Sequence, residues 1–188
     1  MRHEELMAEA ARLAIESVER GWGGPFGAVV ARDAEIVARG QNRVLLTGDP
    51  TAHGEIEAIR QAVRVLNPWE PCIAPKHRNE STLQLLPRPE GSSDPEPLRA
   101  RMLTGCSLYT SGIPCPMCMG AIYWSRIGTV YYSSDLATTR AIGFDDAFQY
   151  DDFKKPLHQR SIRLEQISPE LGAQAYEVWA KRPDKHPY

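Results

Sequence analysis

Two short stretches, far apart in the chain, hold side chains whose types and spacing suit metal-assisted chemistry: His53-Gly54-Glu55 and Pro114-Cys115-Pro116-Met117-Cys118. Together they offer one imidazole, two thiols and one carboxylate. A Cys-x-x-Cys pair with a distant His supplies three zinc ligands and leaves the fourth tetrahedral position to water. Structural zinc sites are closed by four protein ligands, whereas catalytic ones keep a position open. Glu55, two residues from the His, is then placed to carry protons and not to bind metal. The expectation is hydrolysis at a zinc held by His53, Cys115 and Cys118, with Glu55 as the acid–base group. A thioredoxin-like pair uses Cys-x-x-Cys as well, but has no need of His53 and Glu55 at a helix start elsewhere. A zinc-stabilised binding module is the non-enzymatic alternative; it gives no reason to keep Glu55.

These groups must be positioned by the elements around them. Glu4 to Arg20 puts Leu6, Ala10, Leu13, Ala14 and Val18 at helical spacing, and Gly21 stops that helix. Phe26 to Ala31 and Glu35 to Arg39 read as a hairpin. A helix started by Asp49-Pro50-Thr51 runs on through Ile56, Ile59, Ala62, Val63 and Leu66, so His53 and Glu55 fall in its first turn. Residues two apart do not share a helix face, so both reach one metal only if the N-terminal end of the helix points at it. Cys106 to Thr110 reads as a strand that leads into the Cys-x-x-Cys, and Met117 to Arg126 as a helix. That arrangement sets the thiols near a helix N-terminus, where thiolates are favoured. Gly128 to Ser133 is a further strand, Leu136 to Ile142 a short helix, and Ile162-Arg163-Leu164 an edge strand. Ser168-Pro169-Glu170 begins a last helix whose apolar positions include Leu171, Ala175, Val178 and Trp179. The order predicts an α/β fold: a three-layer α-β-α sandwich around a mixed five-stranded sheet.

The 188 residues suit a single domain, with 42% hydrophobic and 24% charged residues. Residues 67–104 differ in character and carry almost half of the fifteen prolines. They read as a surface insertion, with a C-terminal helix and tail completing the chain. The start lacks a signal-peptide layout, and no apolar run approaches the roughly 20 residues a bilayer span needs, so a cytoplasmic protein is expected. Cys72 and Cys106 are then free thiols. A formal charge of −2 argues against a nucleic-acid partner and for a small-molecule substrate. His3, His77, His158 and His186 lie in polar contexts and are expected in solvent.

Taken one by one, other positions have plain structural readings. Phe26 suits a core strand, Asn42 a turn, Trp124 a late helix position in the core, and Asp145 or Asp146 a cap or solvated turn. Their combination says more. Gly24 to Val29, Asn42, Pro50 to Glu55, Pro114 to Trp124 and Gly143-Phe144-Asp145-Asp146 resemble the cytidine deaminase superfamily of zinc hydrolases. Within it they are most similar to the small bacterial guanine deaminases; the Gly-Phe-Asp-Asp element is what most cytosine and tRNA-adenosine members lack. The resemblance implies a cytidine deaminase-like fold and a free nucleobase substrate, with guanine hydrolysed to xanthine and ammonia. It also implies that Asn42 bonds the base, that Phe26 and Trp124 line its pocket, and that Asp146, with Asp145 in reserve, reads its edge. Such enzymes are typically homodimers, some with exchanged C-terminal segments, and Tyr188 is a candidate cover for the site. One position departs: where that family usually has Glu before the Pro-Cys, this chain has Ile113. Cytosine, isocytosine, guanosine, an ammeline-like triazine and, less so, tRNA adenosine are the alternative substrates.

Overall fold

The computed structural model describes residues 1–66 and 102–183. Helix α1 (His3–Glu19) leads into strands β1 (Gly27–Arg32) and β2 (Glu35–Gln41). The short helix α2 (Val44–Thr47) and helix α3 (Gly54–Leu66) follow, then β3 (Cys106–Gly112), α4 (Pro116–Ser125) and β4 (Thr129–Ser134). Helices α5 (Leu136–Ala141), α6 (Ala147–Lys154) and α7 (Pro169–Lys181) complete the order. Among the described residues the sheet has four strands in the order β2-β1-β3-β4. β1 is antiparallel to both β2 and β3, whereas β3 and β4 are parallel, as their connection through α4 requires.

The alternation of β1 divides the core into two layers. Val29 and Ala31 face α1 with Leu6, Ala10, Leu13 and Tyr109. Ala28 and Val30 face the other way, into a cluster with Ala58, Ile59, Ala62, Leu108 and Ile122 from α3, β3 and α4. The result is the expected three layers, and each fully buried Leu or Val contributes about 1.5–3 kcal/mol through its removal from water. The hairpin turn runs through Asp33 and Ala34 at positive φ, the two-residue geometry that matches strand twist.

Several boundaries differ from the sequence expectation. The second long helix begins at Gly54 and not at Asp49 or Thr51, and before it Val44–Thr47 forms a separate turn closed by Gly48 in the left-handed region. The fifth strand expected at 162–164 is irregular chain outside the sheet, and Ile162 is 76% exposed. Most of the predicted insertion, with Cys72 and His77, lies outside the described residues. At its end Thr104 is exposed, but Leu103 is fully buried and its N–H donates to Ser125. His3 is exposed as expected, yet its Nδ1 lies 2.7 Å from the Tyr109 hydroxyl. The last helix buries none of its residues, including the apolar positions that defined it. Among the described residues no helix is long and apolar enough to cross a membrane.

One close approach sets the position of α3. A Cβ placed on Gly40 of β2 would lie 2.0 Å from the Gly54 carbonyl oxygen and 2.4 Å from the Ala58 nitrogen. Only a glycine lets the first turn of α3 rest on the sheet backbone. Gly40→Ala should therefore destabilise the fold by about 1–3 kcal/mol in urea unfolding and displace Glu55. Gly128→Ala, where nothing lies within 4 Å, should change stability by less than about 0.5 kcal/mol.

Candidate active site

Two helix N-termini converge on one point. His53 immediately precedes α3, and its carbonyl accepts from Glu57 N at 3.0 Å. Cys115 is the N-cap of α4, with Pro116 in the first turn and Cys118 one turn along. Pro suits that position because its missing N–H would have no helical partner. The His53 Nδ1 lies 3.6 Å from the sulfur of Cys115 and 3.6 Å from that of Cys118. All three ligand atoms fall within 4.8 Å of one another. A tetrahedral zinc with ordinary Zn–S and Zn–N bonds requires N···S separations of about 3.6 Å. The donor set therefore fits zinc in chemistry and in spacing.

The charges of the site are strongly coupled. The Cys118 thiol donates to Cys115, which with His53 brings Cys115 down to about 4 against the pull of burial. The same bond, then burial and the nearby Glu55 carboxylate, push Cys118 above its ordinary value. The pair thus holds one negative charge between two sulfurs. His53 is raised, chiefly by its bond to Cys115. Glu55 is only 4% exposed, and burial raises it to about 7, with the Cys115 charge adding to the effect.

A cavity of about 250 Å³ opens beside these groups. His53, Glu55 and Cys115 form one part of its lining, and Phe26, Asn42, Ile113, Phe144 and Asp146 another. Asn42 is held from several sides. Its backbone N–H donates to Phe26, its carbonyl accepts from the buried Ser17 hydroxyl at 2.7 Å, and its Oδ1 accepts from Gly24 N and Val44 N. Those two backbone donors fix which way the amide points, and its NH₂ has no protein partner among the described residues. A Cβ on Gly23 would sit 2.0 Å from Asn42 Oδ1, so the Gly-Gly turn is what admits this arrangement. Phe26 meets Phe144 edge-to-face, with ring centroids 4.9 Å apart. Asp146 is the N-cap residue of α6, raised by burial and by the Cys115 charge.

Of the site residues read from sequence, His53, Glu55, Cys115, Asn42, Phe26 and Asp146 line this cavity, and Cys118 lies directly behind it. Two others do not join them. Trp124 is 62% exposed on α4, and Asp145 turns away to Arg140, 3.3 Å from Oδ2 to Nε. Phe144 is the residue that the sequence reading missed; its place within the Gly-Phe-Asp-Asp element was the available signal. Val44 and Leu45, from the unforeseen α2, add an apolar wall.

The sequence pattern of the cytidine and deoxycytidylate deaminase zinc-binding region matches residues 1–134, more than two thirds of the chain. The chain belongs to this deaminase family. It is 36% identical to a guanine deaminase of Bacillus subtilis over 188 residues, with both chains fully covered. The crystal structure of guanine deaminase from Bacillus subtilis superposes with a TM-score of 0.79 at 37% identity, covering 100% of this chain and 99% of the other. A tRNA-specific adenosine deaminase of Aquifex aeolicus is 31% identical over 134 residues, 71% of this chain and 67% of that protein. The protein is thus a zinc-dependent aminohydrolase, with a fold shared across the family.

The deaminase allows the role of Glu55 to be separated from ligation. Glu55→Gln should keep about one zinc per chain while turnover falls by roughly two to four orders of magnitude. In the metal-stripped protein, a carboxyl raised from 4.5 to about 7 adds stability that is complete below the unfolded value and lost as pH rises through the folded one. The wild type should therefore lose ground to Glu55→Gln in urea midpoint between about pH 5 and 8. Zinc lost in proportion to activity would make Glu55 a ligand instead.

Proposed function

We propose that the deaminase hydrolyses guanine, as the free base, to xanthine and ammonia. The reading rests on one observation: besides Glu55, the cavity lining contains a single carboxylate, Asp146, and a single amide, Asn42. Guanine presents N1–H and the 2-amino group as donors, and O6 and N7 as acceptors. Asp146 accepts from the donors, and the unpartnered NH₂ of Asn42 donates to an acceptor. Each such buried group left unpaired would cost about 1–3 kcal/mol. The volume also favours a bare base, since pockets for larger ligands run to roughly 300–1,000 Å³. The similarity to the guanine deaminase of Bacillus subtilis over the whole chain points the same way.

His53, Cys115 and Cys118 would hold the zinc, which supplies a water that ionises near neutral pH. Glu55 does the proton work. Its carboxylate would take one proton from the attacking water and deliver it to N3 as the C2–O bond forms, then take the second from the new C2 hydroxyl and deliver it to the amine as the C2–N bond breaks. Burial raises this carboxyl to about 7 only in the metal-free protein; a bound zinc would favour its ionised form, which can accept the proton of the water. Phe26 and Phe144 pack on the base and keep water from its faces. Ile113 contributes an apolar wall where most guanine deaminases have Glu, which leaves Asp146 to read the donors alone. Trp124 and Asp145 are left outside the pocket of a single chain.

We also infer a homodimer. Tyr123 and Trp124 are exposed on α4, and the C-terminal arm exposes Ile162, Ile167, Tyr176 and Trp179. An apolar surface of this extent suits a second copy. Sedimentation of the full chain should give twice the monomer mass.

Ammonia release from guanine, guanosine, cytosine, isocytosine, an ammeline-like triazine and a tRNA anticodon stem-loop tests the assignment. Guanine should be turned over, and Asp146→Ala should lower its kcat/KM at least about tenfold, equivalent to about 1.4 kcal/mol. Ile113→Glu should help guanine more than any pyrimidine. Turnover of cytosine or a nucleoside with none of guanine would overturn the substrate while leaving the zinc deaminase intact; turnover of the stem-loop alone would favour the tRNA-editing reading.

A further inference from the structure

Helix α6 carries the proposed base-reading residue, yet the one residue it buries is Asp152, and Phe148 and Phe153 are both 57% exposed. Apolar packing does not hold it in place. What reaches from it toward the site is Tyr150, whose hydroxyl donates to the Pro114 carbonyl at 2.6 Å. Pro114 is fully buried and immediately precedes the Cys115 ligand. Among the described residues no backbone N–H donates to that carbonyl, so the tyrosine satisfies an acceptor that has no other partner there. On its other side the same loop is pinned by Ile113 N, which donates to Ser134 at 2.8 Å. Two bonds thus clamp the segment that delivers Cys115, one from the sheet and one from α6.

Tyr150 stands four residues after Asp146, one helical turn away, and its N–H bonds the Asp146 carbonyl at 3.4 Å. Residues at that spacing share a helix face. The hydroxyl that holds the metal loop therefore also fixes the turn that presents Asp146 to the cavity.

We propose that Tyr150 is a positioning residue which, through its bond to the Pro114 carbonyl, sets the zinc loop and Asp146 at a fixed separation. This rests on the reading that His53, Cys115 and Cys118 hold zinc and that Asp146 reads the base. Partners one step removed from metal ligands typically alter metal affinity by about 10–100-fold when removed.

The test uses full-length, metal-loaded protein. Tyr150→Phe keeps the ring and deletes only the hydroxyl. Zinc loss to a chelator should speed up about tenfold, and the visible bands of the cobalt-substituted protein should shift. Phe148→Leu, on the same helix but exposed, should alter neither and so controls for general loosening of α6. At saturating zinc, Tyr150→Phe should raise the KM for guanine several-fold in the wild type and not further in the Asp146→Ala background. Unchanged cobalt bands and chelation rate, an equal KM effect in both backgrounds, or the same changes from Phe148→Leu would overturn the proposal. If Tyr150→Phe does not fold, Tyr150→Trp, which keeps a ring with a donor, should fold and retain zinc; its failure would also overturn it. A wild type inert on guanine whose cobalt bands still respond to Tyr150→Phe would defeat the substrate reading and leave this one standing.

Discussion

The structure depends on holding one imidazole, two thiols and a carboxylate within a few ångströms of one another inside the protein. Without a cation this is an unfavourable set. Burial penalises the charged form of each acid, and the negative charges penalise one another. The thiols respond by sharing one proton, and Glu55 responds by holding its own up to about 7. The N-terminal ends of α3 and α4 lower part of that cost, since the unpaired N–H groups of both helices point at the negative charge. A divalent metal removes most of the remainder, so zinc affinity and folded-state stability are linked quantities here.

The same convergence explains why small residues recur around the site. Gly40 lets α3 lie directly on β2, and Gly23 and Gly24 clear the space taken by Asn42 and Phe144. These glycines set distances between backbones. Asn42 then becomes a one-way reader: with Oδ1 occupied by Gly24 N and Val44 N, only its NH₂ faces outward. In the proposed reaction, a fixed donor from Asn42 and an acceptor from Asp146 would select among bases by donor pattern before size is considered.

The convergence of His53, Glu55, Cys115 and Cys118 was legible because the spacing carries the signal: a Cys-x-x-Cys pair and a His two residues from a Glu can be recognised without any tertiary information. The three-layer fold was legible from the period-two alternation of β1 and the helical periods of α1 and α3. Other features depend on packing that local sequence does not encode. Trp124 sits in an apolar helix and was expected inside, but α4 turns that side chain outward. Phe144 lies in a polar-looking loop, and only its contact with Phe26 brings it to the cavity. Leu103 follows a proline-rich tract whose composition points to the surface, yet it packs in the core with Ile122 of α4. The α2 turn escaped notice because four residues are too few to show a helical period.

The C-terminal arm follows a different logic from the rest of the chain. Helix α7 is thirteen residues long and buries none of them. Isolated helices shorter than about 12–15 residues are marginal in water, so α7 gains little from its own hydrogen bonds. Its apolar positions Leu171, Val178 and Trp179 are spaced for one face, and the irregular segment before it adds Ile162, Leu164 and Ile167. A chain that keeps this pattern while leaving it uncovered forgoes the main source of helix stability, which is burial of that face. In the proposed homodimer this arm would be half of the interface. Since Asp146 and Tyr150 lie on the segment that leads into it, whatever covers the arm also bears on the geometry of the pocket.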